Sequence, residues 1–297
     1  MNPTHTGELS ALLTAFFWVI SGTLFEHAGK RTNSLAVSFL RMILGLVLMS
    51  VFLWISRGNP FPTDASPSTW LWLSLSGVVG FVIGDIFLFE AYVRIGTRIS
   101  LLMMSLSPVL TGVLSYLIFG EVLEPLAVVG IALTLAGIVV VIMTRGEKRN
   151  LKLRVNSYGV FCALIGAVGQ SVGLILSKRG MGDYDAFAAT QVRIIASVVG
   201  FSLFFLFGNH WQKLRVLLND RQSVRMTAAG ALFGPVLGVG FSLLAIQNIP
   251  AAIAAAIMSI MPVLIIPVNW LAFRGKIKWF EVLGALVTVV GVVLLYL

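Results

Sequence analysis

Cysteine occurs once in this 297-residue chain, at Cys162, and charged residues make up only 11% of it. One cysteine excludes an internal disulfide framework and any metal site built from several cysteines. Soluble domains carry about a quarter charged residues, so a chain this poor in charge cannot cover a surface that faces water. The three histidines, His5, His27 and His210, lie near breaks in the apolar pattern, which leaves no buried histidine cluster. There is no phosphate-binding glycine loop, and no nucleophile, histidine and acid fall on one membrane face. These absences argue against an enzyme, against ATP-driven transport by this chain alone, and against any metal or cofactor.

What the chain has is apolar sequence. It is 58% hydrophobic, with a mean hydropathy of +0.97. The apolar runs are continuous rather than alternating, which implies membrane helices and not a β-barrel. The net charge of +9 resides in the breaks between runs, so the basic excess reads as membrane topology and not as nucleic-acid binding. The first run starts near Leu9 with Glu8 before it and no Lys or Arg upstream. A secretory leader needs a basic start, so this run is expected to be a retained helix.

A span needs roughly 20 apolar residues. Ten segments qualify: 9–27, 35–55, 70–92, 99–119, 124–143, 157–177, 187–207, 227–248, 251–273 and 279–297. Breakers such as RGNPFPTDASPS at 57–68 and RGEKRNLKLR at 145–154 separate them.

The chain also repeats itself. MSLSPVL at 104–110 returns as MSIMPVL at 258–264, and residues 95–143 align with 249–297 without a gap at 14 identities in 49 positions. The matches include Pro108/Pro262, Phe119/Phe273, Gly130/Gly284, Thr134/Thr288 and Gly137/Gly291. The same offset carries Gly80 and Gly84 onto Gly234 and Gly238. An offset of 152 carries Trp18 onto Gln170 and Arg41 onto Arg193. Residues 1–150 and 151–297 thus read as two copies of a five-helix unit.

Five is odd, so the second copy enters the membrane from the opposite side. The expected fold is an all-α polytopic membrane protein whose ten transmembrane helices form two inverted five-helix repeats. Charge agrees: the loops that are basic in the first copy are poor in charge in the second, and the reverse. One face collects 16 basic loop residues, while the other has only Arg57, Lys178 and Arg179. The positive-inside rule then places both termini outside the cytoplasm.

Ionisable residues deep in a span cost about 2.5–3.5 kcal/mol on insertion scales, so each needs a reason. Arg41 and Asp85 lie at similar depth on one side of the midplane and are expected to pair, either as a structural lock or as a pair opened by a proton or substrate. Glu90 lies nearer the interface, where solvation is the simpler account and proton coupling the alternative. Arg193 is the copy of Arg41, but Val239 stands where the first copy has Asp85, so no acid matches its depth. It is left to bind freed backbone carbonyls or the carboxylate of a substrate.

Trp18 and its copy Gln170 fall at the centres of their helices, as residues of a central binding cavity would. Met104 and Ser107 flank the first proline and join them as candidate substrate contacts. Pro108 and Pro262 each remove a helical hydrogen bond near mid-span and are read as two kinks facing one site. Gly80, Gly84, Gly234 and Gly238, with Gly169 and Gly173, are read as close helix packing.

SFLRMILGL opening helix 2 and GDIFLFEAYVRIGTRISLLMMSLSPVLTGVLSYLIFGEVL, followed by VVGIALTLAGIVVV, give the chain a wider likeness. With its helix count and the helix 1 tryptophan, it resembles the ten-helix bacterial permeases of the EamA-type branch of the drug/metabolite transporter superfamily. That resemblance implies secondary transport across the cell (inner) membrane, often metabolite efflux of amino acids or related compounds, by alternating access around a midplane cavity. Two features depart from the family: Arg274 and Gly275 replace the Gly120–Glu121 pair in the second copy, and known members keep both termini in the cytoplasm. The partners implied are a small-molecule substrate, the lipid bilayer and protons as a candidate coupling ion, with the protein a monomer or weak homodimer. A non-transporting structural or sensory membrane protein is the alternative reading.

Overall fold

The structure, a computed structural model, describes residues 3–104, 106–144, 157–261, 263–264 and 279–294. The Pro262 break, the basic residues of 145–154, Asn269 and residues 273–278 lie outside the described residues. Every regular element among the described residues is helical. The first half comprises α1 (Pro3–Arg31), α2 (Ser34–Arg57), α3 (Pro67–Gly77), α4 (Gly84–Met104), α5 (Ser107–Phe119) and α6 (Pro125–Thr144). The second comprises α7 (Ser157–Met181), α8 (Ala186–Phe207), α9 (Trp211–Asn219), α10 (Arg221–Ala231), α11 (Val239–Asn248), α12 (Ala251–Met258) and α13 (Trp279–Leu294).

Among the described residues, six helical segments are long and apolar enough to cross a membrane: Pro3–Arg31, Ser34–Arg57, Pro67–Leu88, Ser157–Met181, Ala186–Phe207 and Arg221–Asn248. Shorter apolar helices cover Ser107–Phe119, Pro125–Val140 and Val282–Leu294. Their outward faces carry exposed Trp54, Leu117, Val128, Leu206, Phe207 and Val290, surface that only lipid makes cheap to expose.

Local sequence sets the helix ends. The Asn33 side chain accepts hydrogen bonds from the amides of Leu35 and Ala36 and starts α2, and Gly58 at φ 71° closes it, a conformation that costs glycine nothing. Ser66 followed by Pro67 opens α3, while Asp185 and Asp220 cap α8 and α10 in the usual way for short polar side chains. Asp220 also binds Arg31 at the end of α1, at 2.9 Å from Nε. The Arg31 guanidinium, helped by the Ser223 hydroxyl, holds the Asp220 carboxyl down to about 2.

The two copies pack reciprocally. α1 lies along α10 and α11 of the second half, and α7 lies along α3 and α4 of the first. α2 meets its counterpart α8 and α6 meets its counterpart α13, while α5 meets α12, which belongs to the corresponding span of the second copy. Two π-helical stretches, Val78–Ile83 between α3 and α4 and Leu232–Gly238 between α10 and α11, occupy corresponding places in the two copies. Pro235 lies inside the second and supplies no N–H, which loosens the helical ladder there.

Glycine permits the tightest of these contacts. A methyl group on Gly173 of α7 would sit 2.9 Å from the Gly80 Cα, and one on Gly169 would sit 3.0 Å from the Gly84 Cα. The two glycine pairs therefore bring backbone against backbone, as small-xxx-small motifs do in membranes.

The boundary expected between spans 70–92 and 99–119 is not a gap in helical structure, because α4 runs from Gly84 to Met104. It bends instead. Asp85 bonds Gln170 and Ser107 bonds the adjacent Ser171, whereas a methyl on Gly159, eleven residues earlier in α7, would meet the Ile95 side chain. At 1.5 Å per residue, a straight α4 could not begin and end at one level of α7 while its middle reaches the start of that helix. The chain turns back around Ile95.

Candidate functional site

Four helices converge on the first π-helical stretch. The Asp85 carboxylate, at the start of α4, is buried, and its Oδ2 accepts a hydrogen bond from Arg41 Nη2 of α2. Its Oδ1 accepts from Gln170 Nε2 of α7 at 3.3 Å. The same Gln170 amide donates to the Gly80 carbonyl at 3.2 Å, so it serves both an ion pair and a backbone oxygen in the π stretch. Arg41 also stands over the Phe25 ring, 5.3 Å from its centroid.

Arg193 of α8 completes the group. Its side chain is 3% exposed, its Cζ lies 4.4 Å above the Phe81 ring centroid, and it feels the charge of Asp85. A methyl on Gly80 would meet Arg193 Nη2 at 3.5 Å, and the Gly80 carbonyl is the one that Gln170 binds, so Arg193 stands beside the first π stretch, in the neighbourhood of the Arg41–Asp85 pair. Two backbone carbonyls of this region have side-chain donors of their own: Gly80 O accepts from Gln170 and Gly77 O from the Ser197 hydroxyl at 3.1 Å.

The other sequence candidates separate into distinct environments. Ser107 bonds Ser171, Oγ to Oγ at 2.9 Å, and the Ser171 hydroxyl also reaches the Ser107 carbonyl at 3.1 Å. Pro108 stands in the first turn of α5, where a missing N–H costs little, directly after the turn at Leu106 that interrupts span 99–119 between Met104 and Ser107. The helix is thus interrupted beside the proline, and the Ser171 hydroxyl meets the Ser107 carbonyl there. Met104 ends α4 at that break and is half-buried. Glu90 lies outside the charged group: it accepts from Arg94 Nε at 2.6 Å, with both side chains about 40% exposed.

Trp18 belongs to the second π stretch and not to the first. A methyl on Gly238 would fall 2.6 Å from its indole Nε1 and 2.8 Å from the Phe233 carbonyl oxygen. The Thr14 hydroxyl donates to the Gly238 carbonyl at 3.2 Å. Trp18 thus leans on Gly238 as Gln170 leans on the equivalent Gly84. Ser21 and Phe25 cover Gly234 in the same groove.

A second polar cluster closes one end of the bundle. Glu121, in the turn after α5, binds Lys178 of α7 at 2.5 Å and accepts from the Ser115 hydroxyl and from the amide of Ala251 at 3.2 Å. Lys178 in turn donates to the Ile249 carbonyl at 3.2 Å. One ion pair therefore satisfies both backbone ends exposed where Ile249–Pro250 breaks α11 from α12. Burial pushes the Glu121 carboxyl up, but Lys178 and Ser115 outweigh it and hold the group below the ordinary carboxylate range. At the position equivalent to Lys178, the first copy has Glu26, which pairs within its own helix with Lys30. Among the described residues, this latch is found at one end of the bundle.

Residues 5–143 and 157–297 each match the EamA-like transporter family. The chain belongs to that family. Its two matches meet the two copies read from the sequence, and together they cover nearly the whole chain. Over 244 residues it is 25% identical to a probable transport protein of Saccharomyces cerevisiae, YPL264C, covering 75% of this chain and 65% of the yeast protein. The EamA chain thus spans slightly less than two thirds of that relative's length. A crystal structure at 19% identity superposes with a TM-score of 0.74 and covers 98% of this chain and 96% of its own; at that identity the likeness concerns the fold.

Neither the π stretches nor the roles of Ser171 and Phe81 were foreseeable from residue pattern and spacing. Gly80 and Gly84 were legible as packing residues, yet the carbonyls freed beside them become visible only once Gln170 is seen to occupy one.

Proposed function

We propose that this EamA-family membrane protein is a secondary active transporter of a small metabolite, working by alternating access between two inverted five-helix repeats. The observation that carries the reading is the reciprocal packing of α1 on the second π stretch and α7 on the first. An exchange of conformation between the copies would change these two contacts in opposite senses, opening one end of the bundle as the other closes. Interrupted helices with loosened hydrogen bonding are suited to such rocking. The Arg41–Asp85–Gln170–Arg193 group is the translocation site, and Asp85 is its candidate proton carrier.

In this reading the Glu121–Lys178 latch holds the closed end. The ten spans read from the sequence, with the excess of basic residues on the opposite face, support an extracytoplasmic position for that end and for the termini. The family resemblance favours efflux, and among amino acids and related compounds the related compounds are the better fit to this site. Reconstituted into liposomes, the protein is expected to give saturable counterflow of a labelled solute from a panel of amino acids, nucleosides and organic acids. Protein that is correctly folded and inserted but passes no member of the panel above empty liposomes would contradict transport.

A further inference from the structure

The charged group is one anion short. Its arginines are copies of each other, yet the second copy has Val239 where the first has Asp85, so two guanidinium groups share one carboxylate. Arg41 takes the direct bond to it. The Arg193 side chain makes no hydrogen bond among the described residues, and its Nε is fully buried without a partner. A guanidinium presents five donors, and leaving them unmet in a dry site is costly. Cation–π contact with Phe81 covers one face of the Arg193 plane but leaves the donors along its edge unused.

We infer that Arg193 is the anion-recognition residue of the translocation site, and that its ligand is a small organic monocarboxylate lacking an ammonium group. This deepens the transport reading and rests on it for the ligand's fate, though not for its binding. A carboxylate oriented edge-on to the guanidinium takes two parallel hydrogen bonds, the geometry arginine favours. One negative charge balances the group, because Asp85 already offsets Arg41.

The lack of an ammonium follows from Asp85. A bound α-amino acid would need an anionic acceptor for its –NH3+ beside the carboxylate site, and Asp85 is the acid there. Its oxygens already accept from Arg41 at Oδ2 and from Gln170 at Oδ1, and its charge is offset by Arg41, so it offers an added ammonium little net attraction. An ammonium would also stand near two guanidinium groups, whose repulsion in a low-dielectric site is severe. Lactate and alanine differ only in hydroxyl against ammonium at Cα, and lactamide removes the charge from the carboxylate end. The three ligands therefore separate the possibilities.

The test uses purified full-length protein in detergent, with the thermal unfolding midpoint followed against lactate, acetate and benzoate, and against alanine, lactamide, chloride and inorganic phosphate. At least one monocarboxylate is expected to raise the midpoint saturably, while alanine, lactamide and the inorganic anions do not. Arg193→Gln is expected to weaken the apparent carboxylate affinity by at least about tenfold, the loss of a charge-assisted hydrogen bond. Should Arg193→Gln fail to fold, Arg193→Lys carries the same test, since it keeps the charge and loses the fork; its affinity is expected to fall about as far.

The inference is overturned if no monocarboxylate shifts the wild-type midpoint, or if alanine, lactamide or an inorganic anion matches the carboxylates. Unchanged affinity in the folded Arg193 variant overturns it as well. Carboxylate binding through Arg193 with no counterflow removes the transport reading and leaves the inference standing. Counterflow of a neutral or cationic solute without carboxylate binding does the reverse.

Discussion

Replacing Asp85 with alanine is expected to cost the folded protein about 3–5 kcal/mol, the penalty for leaving a buried charge without its partner. Two arginines are left in that case, not one. Arg41 would lose its direct bond and Arg193 its nearby acid, and Gln170 would keep only the Gly80 carbonyl. Neither arginine can reach water cheaply, since their side chains lie among α2, α4, α7 and α8. The double variant Arg41→Met/Asp85→Leu is expected to recover part of the loss, because a buried pair can often be exchanged for apolar side chains at little cost. It should not recover all of it, since Arg193 remains. Thermal unfolding in detergent measures both. A single variant as stable as wild type would show that water reaches the pair and that the site is not dry.

Gly173→Leu is expected to be the next most damaging change. Overpacking commonly costs about 1–3 kcal/mol and sometimes more, and here the atoms in the way are backbone. The first side-chain carbon alone would press to 2.9 Å of the Gly80 Cα and 3.3 Å of the Gly80 nitrogen. α7 would have to lift from the π stretch, carrying Gln170 away from both Asp85 and the Gly80 carbonyl. The expected result is lower stability together with loss of carboxylate binding. Leucine at Gly22, where an added side chain meets nothing within 4 Å, is the control and should leave both unchanged. Equal behaviour of the two variants would remove the α7 contact as the support of the site.

Depth along a helix was enough to set Arg41 and Asp85 at one level, because the rise per residue is fixed and a buried charge demands a partner. The repeat made Trp18 and Gln170 comparable, and a central amide plainly needed something to bond. What each of them touches was not legible. Gln170 meets a carbonyl whose availability depends on a π turn, and nothing in VVGFVI distinguishes that turn from an ordinary helix. What surrounds Arg193 was hidden for a related reason: its ring partner Phe81 and its neighbour Gly80 both lie in that same π stretch. The Glu121–Lys178 latch was hidden by distance, since it joins a turn in one copy to a helix end in the other. The alternation of basic loops between the copies concerned the membrane's two sides and not any contact, so it could be read from composition alone.

In the proposed cycle the bundle alternates, with one end held shut by Glu121 and Lys178. The most direct measurement places cysteines at 121 and 178 in a chain whose native Cys162 is changed to serine, reconstitutes it, and joins the pair with a cleavable bifunctional thiol reagent. Counterflow is expected before joining, to stop when the two residues are linked, and to return when the linker is cleaved. Undiminished counterflow across the linked protein would contradict the claim.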